Sequence, residues 1–134
     1  MIVDTSAVVA IVLDEVGSDE VTEALAQSTS SRISAATYVE LCAVLHRRGR
    51  PEINRSVDRL LAALKIDIEP LDAHQARVAA QAYRDFGKGS GHPARLNLGD
   101  CYSYALAAMT GEALLYRGED FVHTDLPSAL ADPE

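Results

Sequence analysis

Cysteine is scarce: the chain has only two, Cys42 and Cys101. Neither has a second Cys or a His at ligand spacing, so a zinc site and a disulfide framework are both excluded as organising features. Each sits in an apolar, helix-like run, where a thiol acts as a small buried hydrophobe. No apolar run approaches the roughly 20 residues that a membrane helix requires. The start, Met1-Ile2-Val3-Asp4, has neither a basic n-region nor a long apolar h-region, so it does not read as a signal peptide. A soluble cytoplasmic protein that does not engage membrane is the expectation. Positive charge is also short: 12 Lys and Arg against 20 Asp and Glu give a net charge of −8. A nucleic-acid binder is usually basic, so this balance argues against one unless the surplus acids serve a metal site. No internal repeat or long linker divides the chain, and 134 residues suit one domain spanning 1–134.

What is present is an alternation of strands and helices. Residues 1–4 read as a short buried strand ending in Asp4. Thr5 and Ser6 can cap a helix running to Leu13. A turn over Asp14–Ser18 leads to a short helix, Asp19–Ala26, and Arg32-Ile33-Ser34 reads as a second strand. Thr37 opens a helix to about Arg48 that Gly49 ends, and Pro51 suits the first turn of the next. There Ile53, Val57, Leu60, Leu61 and Leu64 form one apolar stripe of helical period, which predicts a continuous helix. Ile66–Glu69 alternates as a strand does. Asp72 caps a helix through Phe86, a glycine-rich loop follows from Gly87 to Gly91, and Asp100 begins a helix that stops at Gly111. Ala113–Tyr116 is the last strand, followed by a polar tail. This order predicts an α/β fold, three layers deep, with a central parallel sheet of four to five strands. Ligands of such sheets bind beyond the carboxyl ends of the strands, where Asp4 and the segment Arg117–Asp120 both fall.

Most of the acids read as a solvated face, but Asp4, Glu40, Asp100 and Asp120 do not. Asp4 follows an apolar strand directly; it can be a helix cap, although Thr5 and Ser6 can do that work. Glu40 interrupts the apolar run Val39–Leu45, where an unpaired carboxylate is expensive to bury. It should be metal-bound, neutral, or paired with an arginine such as Arg32 or Arg77. Asp100 is the only charge on its helix and otherwise reads as an N-cap. Asp120 lies just past the last strand, where a solvated turn acid is the alternative. Two carboxylates ~4 Å apart repel by about 4 kcal/mol at an effective dielectric near 20, so a fold that gathers them implies a cation. Oxygen ligands without His or Cys point to Mg²⁺, with Mn²⁺ also suited. Lys88, His92 and Arg95, in or after the glycine-rich loop, are candidate phosphate contacts or simply a solvated loop.

Four blocks carry these acids in order. They are Met1-Ile2-Val3-Asp4-Thr5-Ser6-Ala7, then Val39-Glu40, then Leu96-Asn97-Leu98-Gly99-Asp100-Cys101-Tyr102-Ser103, then Leu114-Leu115-Tyr116-Arg117-Gly118-Glu119-Asp120-Phe121. Together they resemble the PIN-domain family, and within it the VapC toxins of bacterial toxin–antitoxin pairs. The resemblance spans nearly the whole chain. It implies a PIN-like fold and a Mg²⁺-dependent endoribonuclease, the toxin of a type II pair, with Asp4, Glu40, Asp100 and Asp120 as catalytic and metal-binding residues. It also implies an RNA substrate, a VapB-like antitoxin partner, a homodimer, and cleavage leaving a 5′-phosphate and a 3′-hydroxyl. Many relatives place Thr and then Asp or Asn shortly before the Asp-Phe pair. Here Tyr116-Arg117-Gly118 stands instead, so that polar support is missing. Two other readings start from the same residues. A Mg²⁺-dependent phosphatase of the haloacid dehalogenase type also begins strand–Asp, but it needs a second Asp where Ser6 stands. A PIN-like domain that holds RNA without cutting it would not need Asp4, Glu40 and Asp100 intact.

Overall fold

Strands β1 (Ile2–Val3), β2 (Ser31–Ser34), β3 (Ile66–Glu69) and β4 (Leu114–Leu115) pair in the order β3-β2-β1-β4, every pair parallel. The structure is a computed structural model and describes residues 1–48 and 51–130. The helices are α1 (Thr5–Val12), α2 (Ser18–Gln27), α3 (Ala35–Arg47), α4 (Pro51–Asn54), α5 (Val57–Ala63), α6 (Ala73–Phe86) and α7 (Leu98–Thr110).

The period-2 alternation of strand side chains splits the core in two. Val3 and Leu115 pack with Ile33 and Ile66 against α1, α2, α3 and α5. Their neighbours Ile2 and Leu114 face the other way, onto α6 and α7. Adjacent strand residues thus serve opposite faces, and the result is the three-layer α/β/α arrangement with four parallel strands among the described residues. No helix among them is long and apolar enough to cross a membrane.

The stripe from Ile53 to Leu64 does face the core, yet the chain does not form one helix there. It breaks at Arg55–Ser56 into α4 and α5. The Ser56 hydroxyl donates back to the Glu52 carbonyl (3.1 Å) and its N–H turns to the Ile53 carbonyl (2.8 Å), three residues back. Such local bonding bends or interrupts a helix. Gly49, the expected stop of α3, lies outside the described residues. The polar tail is also more ordered than its composition suggests: Leu114 N–H donates to Pro127 O (3.0 Å) and Ala129 N–H to Leu114 O (2.8 Å), which covers the open edge of β4.

Because β1 and β4 are parallel neighbours, Asp4 and the segment after Leu115 emerge at the same sheet edge. Phe121 secures that segment. It is 2% exposed and packs at a tilt on Tyr116, with ring centroids 5.1 Å apart. Phe121→Ala should lower stability by about 3–5 kcal/mol, as large core truncations do; urea denaturation followed by circular dichroism measures it.

Candidate active site

Asp4 sits where β1 ends and α1 begins. Its N–H donates to Leu115 O (3.0 Å), and its extended backbone makes it the N-cap of α1. Asp4 is only 3% exposed. Oδ2 accepts from the Ser6 N–H (3.0 Å) and hydroxyl (2.7 Å), and Oδ1 accepts from the Ser103 hydroxyl (2.5 Å). Behind these, Ser103 lies 3.3 Å from the Thr37 hydroxyl on α3, and the Ser6 oxygen accepts from the Arg117 N–H (3.0 Å). Elements distant in sequence therefore fix one carboxylate from both sides. Burial raises its pKa, and the bonds from Ser103, Ser6 and the Thr5 backbone only partly offset that.

Glu40 is half-buried on α3. Oε1 accepts from the Thr5 hydroxyl (2.5 Å), while Oε2 turns toward the first turn of α7. That approach needs Gly99, because a Cβ there would overlap the Glu40 carboxylate. Arg32 does not pair with Glu40. It bonds Glu69, at the end of β3, and Glu112, just before β4, which also pairs with the Met1 amino group. Arg77 makes no ion pair among the described residues. The Glu40 pKa is raised, chiefly by burial and further by the Asp4 charge, against the lowering effects of the Thr5 bond and of Arg47.

Asp100 is not the N-cap of α7, as the sequence suggested. Asn97 is, and Asp100 stands three residues on, closing a capping box. The Asp100 N–H donates to Asn97 Oδ1 (2.8 Å) and the Asn97 N–H donates to Asp100 Oδ2 (3.0 Å). Asp100 is 7% exposed, and its pKa is pushed up to about 7. Burial is the main cause; the Asn97 backbone bond opposes it, and the charges of Asp4, Asp120 and Glu40 add to it. These acids thus occupy one electrostatic neighbourhood. Asp120 is its exposed member, on the loop that Phe121 anchors, and Glu119 beside it is exposed as well.

Among the described residues no three Asp, Glu, His or Cys side chains already stand close enough to enclose a metal ion. The donor set nonetheless fits a hard divalent cation. It is all oxygen, its buried members are oriented by hydroxyls and by the Ser6 and Asn97 N–H groups, and their pKa values are raised chiefly by burial, a desolvation that a bound positive charge would offset. Ser6, where a dehalogenase-type phosphatase would carry its second Asp, is instead a donor to Asp4.

The sequence singles out the four acids, but not Ser103, Thr37 or the close approach of Glu40 to Gly99. A hydroxyl inside an apolar helix looks bland. The one available signal was that Ser103 follows Asp100 by three residues, on the same helical face.

A family model described as "PIN domain" matches residues 1–126. Ribonuclease VapC42 of Mycobacterium tuberculosis is 67% identical over 129 residues, 96% of this chain and 98% of that protein. Ribonuclease VapC28 of the same organism is 49% identical over 130 residues, covering 97% and 98%. Among solved structures, M. tuberculosis VapC20, described as a sarcin–ricin-loop-cleaving toxin, superposes with a TM-score of 0.76 at 16% identity, covering 97% of this chain and 98% of that one. A toxin–antitoxin complex from Klebsiella pneumoniae matches with a TM-score of 0.65 at 20% identity, covering 92% of each. These two show the fold, and the closer relatives carry the grouping: the chain belongs to the PIN-domain family, within its VapC group.

Proposed function

We propose that this protein is a divalent-metal-dependent endoribonuclease, the toxin of a type II toxin–antitoxin pair, acting as one PIN domain. The observation that carries the reading is the convergence of Asp4, Glu40 and Asp100 at the carboxyl edge of the sheet, each with its own hydrogen-bonded support. When bound, Mg²⁺ or Mn²⁺ would supply Lewis-acid polarisation of the phosphate and a water of lowered pKa.

The chain's own residues then have distinct tasks. Asp4 and Asp100 would hold the cation, and Ser6, Ser103 and Asn97 keep their carboxylates from rotating away. Glu40, tethered through Oε1, keeps Oε2 available to orient the attacking water in line with the bond to be broken. Asp120 contributes from the rim. Water adds to phosphorus and the bond to the 3′ oxygen breaks, leaving a 5′-phosphate and a 3′-hydroxyl. The proposal extends to a VapB-like antitoxin that covers the acids, to a homodimer, and to the cytoplasm as the site of action. Support comes from relatives named VapC ribonucleases and from a structural neighbour solved as a toxin–antitoxin complex.

The test is a labelled RNA stem-loop incubated with the purified protein over a Mg²⁺ titration, with end-mapping of the products. Wild type should cut only with Mg²⁺ and leave 5′-phosphate ends. Asp120→Asn should need about 10- to 100-fold more Mg²⁺, the range seen for outer support of a metal, while Glu119→Gln should behave as wild type. Cutting that survives chelation would overturn metal dependence, and the reverse ranking of Glu119 and Asp120 would move the fourth carboxylate.

A further inference from the structure

We infer that the segment Lys88–Arg95 is a phosphate anchor, gripping the backbone of the RNA strand away from the bond that is cut. This rests on the ribonuclease reading above and adds a binding site to it.

The need is electrostatic. A chain of net charge −8 repels RNA, and an acidic reaction centre repels it further. Some local cationic surface must hold the strand. Several cations are committed elsewhere: Arg32 to Glu112 and Glu69, Arg117 to Glu20 and the Val16 carbonyl, Arg84 to Gln81. Lys88 and Arg95 are exposed and form no ion pair among the described residues.

The segment is also built rather than loose. Its ends are joined by Leu96 N–H to Phe86 O (2.9 Å) and Lys88 N–H to Leu96 O (3.0 Å). Arg95 lies between buried Ala94 and Leu96 with a φ of +48°, so its backbone is held in a left-handed turn that a non-glycine residue seldom adopts. Its two inward neighbours leave its own side chain outside. The His92 ring packs edge-on against Phe86, with centroids 4.8 Å apart, and its Nδ1 accepts from the Ala94 N–H (3.1 Å). A backbone N–H can only donate, so the ring proton of neutral His92 is on Nε2, leaving that atom a donor. Gly89 and Gly91 adopt φ of +87° and +86°, with open space where a Cβ would be, so a polyanion can approach the backbone closely.

Position ties the anchor to the reaction. Arg95 precedes Asp100 by five residues, which places their Cα atoms at most ~17 Å apart even for an extended chain. Lysine and arginine donors at that range suit a neighbouring phosphodiester of the same strand, and backbone contacts position RNA without reading its sequence.

The experiment measures anisotropy of a 5′-labelled RNA stem-loop of mixed sequence, in an Asp4→Asn background that keeps it intact, over a series of potassium chloride concentrations. Lys88→Ala/Arg95→Ala should weaken binding about 10-fold or more. It should also flatten the slope of log affinity against log salt by about 0.7–0.9 for each phosphate no longer neutralised. In the active background the KM should rise far more than kcat falls. Arg95→Gly, which relaxes the backbone while removing the charge, should show the same direction and guards against a folding defect. Arg55→Ala/Arg59→Ala, exposed cations at the α4–α5 corner, is the control. Affinity and salt slope equal to that control would overturn the anchor, as would loss of antitoxin binding with RNA binding unchanged. If RNA binds through the loop but wild type never cuts it, the anchor stands and the nuclease reading falls. If wild type cuts and the loop variants bind RNA as before, only the anchor falls.

Discussion

Asp4→Asn should leave the protein folded and reduce RNA cleavage by well over the ~10- to 100-fold that loss of outer support for a metal produces. The substitution keeps shape and volume. The remaining carbonyl can still accept from Ser6, and the Ser103 hydroxyl, now facing an amide NH₂, can rotate to accept from it and donate toward Thr37, 3.3 Å away. What disappears is the negative charge that makes the site a cation site. Ser103→Ala should be the milder variant, since it loosens Asp4 without removing its charge, and it belongs in the 10- to 100-fold range. Gly99→Ala should fall between the two, because the new methyl displaces the Glu40 carboxylate, the movable end of its side chain, and leaves Asp4 charged. Cleavage rates at saturating Mg²⁺, beside circular dichroism for the fold, measure all three. An Asp4→Asn protein cutting at the wild-type rate would remove Asp4 from the mechanism.

The contrast between these variants reflects what the sequence could reveal. Asp4 and Glu40 were legible because each violates the local apolar pattern, and a violated pattern asks for a reason. Ser103 violates nothing: a small hydroxyl fits an apolar helix at little cost, and only its tertiary placement against Asp4 gives it a role. Gly99 was invisible for the same reason, since the body it must avoid belongs to α3, 59 residues earlier in the chain. The layer order was readable from the alternation of strand and helix patterns, and β1, at two residues, was short but nearly pure hydrocarbon. Local chemistry decided the rest. Asn97, not Asp100, caps α7 because the capping box satisfies two backbone N–H groups at once. Ser56 broke a helix that the apolar stripe alone would have continued, because periodicity records which face is buried and not whether the backbone stays regular.

The metal-free protein should lose stability as pH rises from about 4 to about 7, and Mg²⁺ should restore it. Asp100 has its pKa raised from 3.8 to about 7, and those of Asp4 and Glu40 are raised as well, all chiefly by burial. Below the unfolded value both states carry the proton, and the contribution of these groups is fully present. Between the two values the folded state still holds protons that the unfolded chain has released. Stability then falls by about 1.4 kcal/mol per pH unit for each such group. Above the folded value the carboxylates ionise in place, and their desolvation, with repulsion added at Glu40 and Asp100, is the lasting penalty. A divalent cation bound among them offsets that penalty and adds its own binding free energy to the folded state. Urea midpoints in a chelator should therefore decline across this window, and the gain from Mg²⁺ should be larger at pH 8 than at pH 5. Asp100→Asn, which has no charge to desolvate, should be more stable than wild type without metal at pH 8 and should gain less from Mg²⁺. Stability that climbs through the window in a chelator, with Asp100→Asn running parallel to wild type, would mean that these carboxylates are not held together against their own charge.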